Sequence, residues 1–165
     1  MNFSVPDICD EFLPQLQVLE PRFRPYGGRL KFSGEIVTIR CFEDNSLVKQ
    51  NLATDGTGKV MVVDGGGSLH CALLGDMLGA MAAKNGWQGL VINGCVRDVE
   101  ILKTIDIGVS ALNSYPIKSE KLGMGELNIP IHFAGVDFEP GHYIYADENG
   151  MVVARKKLSL HIKEA

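Results

Sequence analysis

Two short stretches carry residue types that can do chemistry: Gly75-Asp76-Met77-Leu78 and Asn93-Gly94-Cys95-Val96-Arg97-Asp98. The first opens the clearest helical segment of the chain. Free N–H groups and the positive end of a helix dipole make such a start a cradle for a carboxylate or phosphate. Plain capping accounts for the same residues, with Asp76 as N-cap and Gly75 as turn. The second stretch follows an apolar run that reads as a buried strand. In open α/β sheets, ligands gather beyond the carboxyl ends of strands. Arg97 can grip a carboxylate with two parallel hydrogen bonds, and Asp98 can bind a hard divalent cation. Here too a structural account stands beside the chemical one: Asp98 capping a helix and Arg97 solvated. Taken together, the two loops belong to one βαβ-like unit. They can bring a helix N-terminus, an arginine and one metal carboxylate to the same sheet edge. That set would bind a 2-oxo acid, its carboxylate on Arg97 and the backbone amides, its keto oxygen on the metal.

Other motifs fail on inspection. Gly56-Thr57-Gly58-Lys59 is no Walker loop, because Val60 stands where Ser or Thr is required and Ala53 where the first Gly is required. Gly65-Gly66-Gly67 follows a strand, yet no GxGxxG opens a helix. It reads as a tight turn, or as a loop that lets a ligand or neighbouring chain approach the backbone. His70 and His132 lie in apolar neighbourhoods and are expected in a core or interface, while His142 falls in a turn. Ser68 and Ser114 have no triad-like surroundings.

The elements that must position the two loops are legible from periodicity. Ser4 caps a helix over Val5 to Phe12. Lys31 to Phe42 alternates and reads as a strand; Asn45 or Ser46 caps a helix through Leu52. Lys59 to Asp64 is a buried strand running into the glycine loop. Asp76 to Asn85 is a helix with Leu78, Met81 and Ala82 on one face and Gly86 closing it. Gln88 to Ile92 is the next strand, ending at Asn93-Gly94, and Asp98 opens a short helix through Leu102 and Lys103. Ile105 to Leu112 and Ile129 to Phe133 read as strands, and Tyr143 to Val153 as a hairpin around Asp147-Glu148-Asn149-Gly150. The order implies a mixed α/β domain with layered sheets and a helical layer, one domain over residues 1–165.

Composition narrows the field. With 20 acidic against 16 basic residues the net charge is −4. That argues against generic nucleic-acid binding, which needs a basic surface, and leaves room for a basic protein partner. No apolar run approaches the ~20 residues of a membrane span, and the N-terminus lacks signal-peptide regions, so cytoplasm is the expectation. The four cysteines, Cys9, Cys41, Cys71 and Cys95, form no CxxC and read as reduced, half-buried thiols.

Val62-Val63-Asp64-Gly65-Gly66-Gly67-Ser68, Gly75-Asp76-Met77-Leu78 and Gly94-Cys95-Val96-Arg97-Asp98 resemble the RraA-like family of ribonuclease E regulators and class II 4-hydroxy-4-methyl-2-oxoglutarate aldolases. Outer segments share the likeness: Val18-Leu19-Glu20-Pro21, Gly27-Gly28, Cys41-Phe42-Glu43-Asp44-Asn45 and Tyr145-Ala146-Asp147 look most like the short bacterial regulator branch. The aldolase signature is an Asp, twenty arbitrary residues, then Arg-Asp; Asp76, residues 77–96 and Arg97-Asp98 match it. The resemblance implies a swivelling β/β/α domain, like that of phosphohistidine domains, assembled as a trimer or dimer of trimers with the site at a subunit boundary. It implies substrate contacts from Gly75, Asp76, Met77, Leu78 and Arg97, catalytic roles for Arg97 and Asp76, and a divalent cation, Mg2+ or Mn2+, on Asp98. The implied reaction is metal-dependent C–C cleavage of 2-oxo acids through a stabilised pyruvate enolate, with oxaloacetate decarboxylation alongside. The competing implication is a non-catalytic regulator that binds ribonuclease E and inhibits RNA processing.

Overall fold

The computed structural model describes residues 2–160. Along the chain come α1 (Val5–Phe12), a 3-10 turn (Leu13–Gln15), β1 (Leu16–Val18), β2 (Arg24–Pro25), β3 (Phe32–Arg40), α2 (Ser46–Leu52) and β4 (Lys59–Asp64). Then follow β5 (Ala72–Leu74), α3 (Asp76–Lys84), β6 (Gly89–Val96), α4 (Val99–Leu102) and β7 (Gly108–Ser114). The chain closes with β8 (Glu126–Leu127), β9 (Ile131–Phe133), β10 (Val136–Phe138), β11 (Tyr143–Asp147) and β12 (Gly150–Ala154).

The main sheet runs β1-β12-β11-β3-β4-β6-β7-β2, with β5 beside β6 and β8 beside β3. Its centre, β3-β4-β6-β7, is parallel, as the βα crossovers require. The β11–β12 hairpin and β1 extend it antiparallel. The apolar run of β4 is explained by burial on both faces. Met61 and Val63 point into a core roofed by Val48 and Leu52 of α2, Ala82 of α3 and Leu102 of α4. Val60 and Val62 point the other way, against Ile131, Phe133, Val136 and Phe138 of the β9–β10 hairpin. The layers are therefore hairpin, sheet and helices, the mixed α/β architecture expected.

Phe32 fixes how the strands lie together. Its ring covers the backbones of Gly89 and Gly108, where a β-carbon would sit 2.5 and 2.2 Å from the ring. Only glycine lets β6 and β7 carry that ring on their surface.

Three local expectations are corrected. β6 does not stop at Asn93-Gly94 but continues to Val96, because β5 and β7 supply partners on both sides; a register shift between Ile92 and Cys95 absorbs the irregularity. Asn45 occupies the N-cap position of α2 but does not cap it; its side chain donates to Leu73 O (3.1 Å), and Asp44 Oδ1 takes Ser46 N instead (2.9 Å). His70 and His132 are exposed rather than in a core, and His132 pairs with Asp137 at 2.7 Å.

Candidate functional site

The cradle forms where β5 runs into α3 and β6 runs into α4. β5 and β6 are parallel neighbours, so both exits face the same edge, and Arg97 N donates to Leu74 O at 2.9 Å. The two loops, far apart in sequence, thus lie side by side. Gly75, not Asp76, is the N-cap of α3, with extended backbone and no side chain; Asp76 is the first helical residue. The first helical hydrogen bond runs from Gly79 N to Gly75 O (2.9 Å), which leaves the amides of Asp76, Met77 and Leu78 without intrahelical partners. Asp76 N donates to Asp98 Oδ2 at 3.3 Å. The amides of Met77 and Leu78 therefore stay open to an anion at the positive helix end.

Arg97 crosses this opening. Its Nε lies 3.8 Å from Asp98 Oδ2 and its Nη1 donates to Pro116 O at 3.4 Å. A β-carbon on Gly75 would fall 2.6 Å from Asp98 Oδ2 and 3.5 Å from Arg97 Cγ. Asp98 occupies the N-cap position of α4, as expected, but its side chain makes no capping bond, and it sits in the left-handed region at φ 54°. Aspartate visits that region more readily than most residues, and Glu43, Asn128 and Ala134 share it. The cradle is open in the single chain, with Arg97 and Asp98 side chains 39% and 36% exposed and Met77 81% exposed. Leu78 turns inward and packs on the helical-side core.

The donors at the cradle are all oxygen. Among the described residues no group of three or more His, Cys, Asp and Glu is arranged to hold a metal ion. Both contacts of Asp98 fall on Oδ2, which leaves Oδ1 for a cation. One carboxylate plus waters is how Mg2+ is commonly held, so the residues present fit a hard divalent ion and not a soft one.

Nucleophilic catalysis by cysteine is disfavoured. Cys41, Cys71 and Cys95 are buried. Burial pushes the Cys41 thiol up to about 12, with the charges of Asp44 and Asp64 adding to the effect. Burial likewise raises Cys71 and Cys95. These thiols stay protonated at neutral pH, and only thiolates attack. The glycine loop after β4 is a turn with both Gly66 and Gly67 at positive φ. Asp64 Oδ1 pins it by accepting from Gly66 N (2.9 Å) and Asn93 Nδ2 (3.0 Å).

One feature of the site escaped the sequence. Asp44 is a buried carboxylate that accepts from Leu122 N and Met124 N, in the segment whose Pro116 O takes a hydrogen bond from Arg97. Its signals were the Asp44-Asn45-Ser46 run, which spacing alone reads as an ordinary turn, and its place in the family-like segment from Cys41 to Asn45.

The RraA-like family, Aldolase/RraA, matches residues 5–153. The chain belongs to that family. It is 59% identical over 160 residues, 97% of this chain and 99% of the relative, to a Stutzerimonas stutzeri protein named "Putative 4-hydroxy-4-methyl-2-oxoglutarate aldolase". A Pseudomonas fluorescens protein of the same name is 58% identical over 96% of this chain and 98% of its own length. Among solved structures, the RNA-processing inhibitor RraA from Thermus thermophilis superposes with a TM-score of 0.93 at 42% identity, covering 96% of each chain. A Geobacillus kaustophilus structure described as an S-adenosylmethionine:2-dimethylmenaquinone methyltransferase also gives 0.93, at 47% identity over 94% of this chain and 97% of that one.

Proposed function

We propose that the chain is a divalent-metal-dependent C–C lyase acting on 2-oxo acids: an aldolase that cleaves 4-hydroxy-4-methyl-2-oxoglutarate to pyruvate and also decarboxylates oxaloacetate. The observation that carries this is the convergence of Arg97, Asp98 and the first amides of α3 around Gly75. The names of the S. stutzeri and P. fluorescens relatives support the same reading.

In this mechanism Arg97 receives the substrate carboxylate, sharing it with the amides of Met77 and Leu78. Asp98 would hold Mg2+ or Mn2+. When bound, the ion supplies Lewis-acid stabilisation of the negative charge that develops on the keto oxygen, worth several kcal/mol. Asp76, at the first helical position, relays a proton at the edge of the cradle. Transfer of the 4-hydroxyl proton through Asp76 accompanies C–C cleavage, which releases one pyruvate and leaves the enolate of a second; that enolate takes a proton back at C3, and the enolate left when oxaloacetate loses CO2 takes its proton from water. A neighbouring subunit, in a trimer or dimer of trimers, closes the open side and excludes water. Oxaloacetate decarboxylation followed with and without EDTA tests the reading: chelation is expected to abolish turnover, and turnover that ignores EDTA overturns it.

A second reading has its own support. The T. thermophilis neighbour is described as an RNA-processing inhibitor, and the net charge of −4 suits encounter with a basic protein segment. Inhibition of ribonuclease E by this chain with Asp98 replaced by Asn would separate docking from catalysis.

A further inference from the structure

The segment from Tyr115 to Glu126 crosses beside the cradle as an exposed strap; Ser119 is its one buried residue. Ile117, Leu122 and Met124 on it are 57%, 71% and 64% exposed. A segment that buries so little depends on hydrogen bonds for its place. At one end Tyr115 N donates to Val96 O (2.9 Å), Ala72 N to Ile117 O (2.7 Å), and Arg97 Nη1 to Pro116 O (3.4 Å). At the other end backbone bonds hold Glu120, its N donating to Glu43 O (3.0 Å) and its O accepting from Asn45 N (3.2 Å), and beyond them the side-chain anchor is Asp44, only 3% exposed. Its Oδ2 accepts from Leu122 N (2.8 Å) and Met124 N (3.1 Å). Its Oδ1 accepts from Ser46 N (2.9 Å) and Ser46 Oγ (2.6 Å). Ser46 Oγ in turn accepts from Gly123 N at 3.0 Å.

All four partners of Asp44 are donors. A carboxylate is the one side chain of this size that satisfies them, because it accepts at both oxygens. An asparagine would satisfy one pair and turn its NH2 against the other. The adjoining residue, Asn45, donates to Leu73 O (3.1 Å), and Leu74 O holds Arg97 N (2.9 Å). The Asp44–Ser46 turn therefore grips both segments that bracket Arg97: the strap on one side and β5 on the other.

We propose that Asp44 is a positioning residue for the Arg97 guanidinium, acting through the strap, so that it governs affinity for the substrate carboxylate. This rests on reading the cradle as a 2-oxo acid site. The test compares the full-length wild type, Asp44→Asn, Ser46→Ala and Arg97→Ala with Mg2+ and oxaloacetate, alongside amide hydrogen exchange and thermal melts. Asp44→Asn is expected to lose exchange protection at Leu122 and Met124. Its KM should rise about fivefold, the size of one lost hydrogen bond, while kcat changes less than about twofold. Ser46→Ala should shift KM in the same direction by less, and it carries the test if Asp44→Asn does not fold. Loosened strap amides or a lowered melting temperature with an unchanged KM would show a merely structural anchor and overturn the proposal. An unchanged KM in Arg97→Ala overturns the reading of the cradle itself, and the proposal with it.

Discussion

The carboxylate of Asp98 occupies the space that a side chain on Gly75 would need: a β-carbon there would lie 2.6 Å from Asp98 Oδ2. The N-cap of α3 must be bare for the acid to stand at its positive end. The backbone of Gly75 is extended at φ −135°, a conformation open to any residue. Gly75→Ala is therefore a steric change and not a backbone one. We expect it to displace the carboxylate by enough to cost about 100-fold in metal-dependent decarboxylation, the scale of an ångström misplacement, with a lowered but still cooperative melt, since alanine is a poorer N-cap than glycine. Steady-state kinetics and a thermal melt on one preparation check both halves.

Asp98→Asn and Asp98→Ala should differ in stability and agree in activity. Asparagine tolerates the left-handed backbone at φ 54°, whereas alanine there costs about 1–2 kcal/mol. Both remove the acid, so both are expected to lose EDTA-sensitive turnover. Chemical denaturation midpoints should rank wild type and Asn together above Ala.

If Arg97 grips the substrate carboxylate as proposed, removing its guanidinium takes away charged hydrogen bonds worth about 1.5–3 kcal/mol each. Arg97→Ala should weaken oxaloacetate binding by roughly 10- to 100-fold. Arg97→Lys restores the charge but not the planar fork and should recover only part. Initial rates across substrate concentration decide, with circular dichroism confirming the fold.

Stability should fall at both ends of the pH range, for opposite reasons. Burial opposes ionisation of Asp44, but the hydrogen bonds from Ser46, Met124 and Leu122 outweigh it and hold the carboxyl at about 2, against 3.8 ordinarily. Its stabilisation is present above pH 3.8 and lost as pH falls toward 2. Cys41, held neutral up to about 12 against an ordinary 9.0, acts on the alkaline side. The unfolded chain releases that proton first, so stability declines as pH climbs above 9.0. Urea midpoints from about pH 2 to above pH 9.0 check this. Asp44→Asn should flatten the acid limb and Cys41→Ala the alkaline one.

Gly108→Ala should destabilise without touching the cradle. The new methyl would lie 2.2 Å from the Phe32 ring, which is 2% exposed and has nowhere to go. Overpacking of this kind costs about 1–3 kcal/mol. A melt lowered at unchanged KM is the expected result.

The sequence was legible where local and tertiary forces agree. α1 with its Ser4 cap, β4 and the body of α3 fall where periodicity puts them. So does the hairpin of β11 and β12 around Glu148-Asn149. The expected neighbourhood of Gly75, Arg97 and Asp98 is also found, because parallel pairing of β5 with β6 sends both exits to one edge. What misled was chemistry decided by distant partners. Asn93-Gly94 looks like a strand end, yet β5 and β7 draw β6 through it. Asn45 looks like a cap, yet its amide serves Leu73. β5 is too short to show a period, and the strap is polar and exposed, held by the buried Asp44, whose partners lie up to 80 residues away.

The left-handed backbone at position 98 also bears on how a lineage can drift. Asparagine and glycine fit that conformation at little cost, and each is a single-nucleotide neighbour of an aspartate codon. On the proposed lyase reading, the chemistry could therefore be switched off by a mutation that leaves the shape, and with it a protein-docking surface, intact. On that reading, a scaffold whose acid at position 98 is so easily traded without unfolding would be well placed to yield catalysts and pure binding proteins from common ancestry.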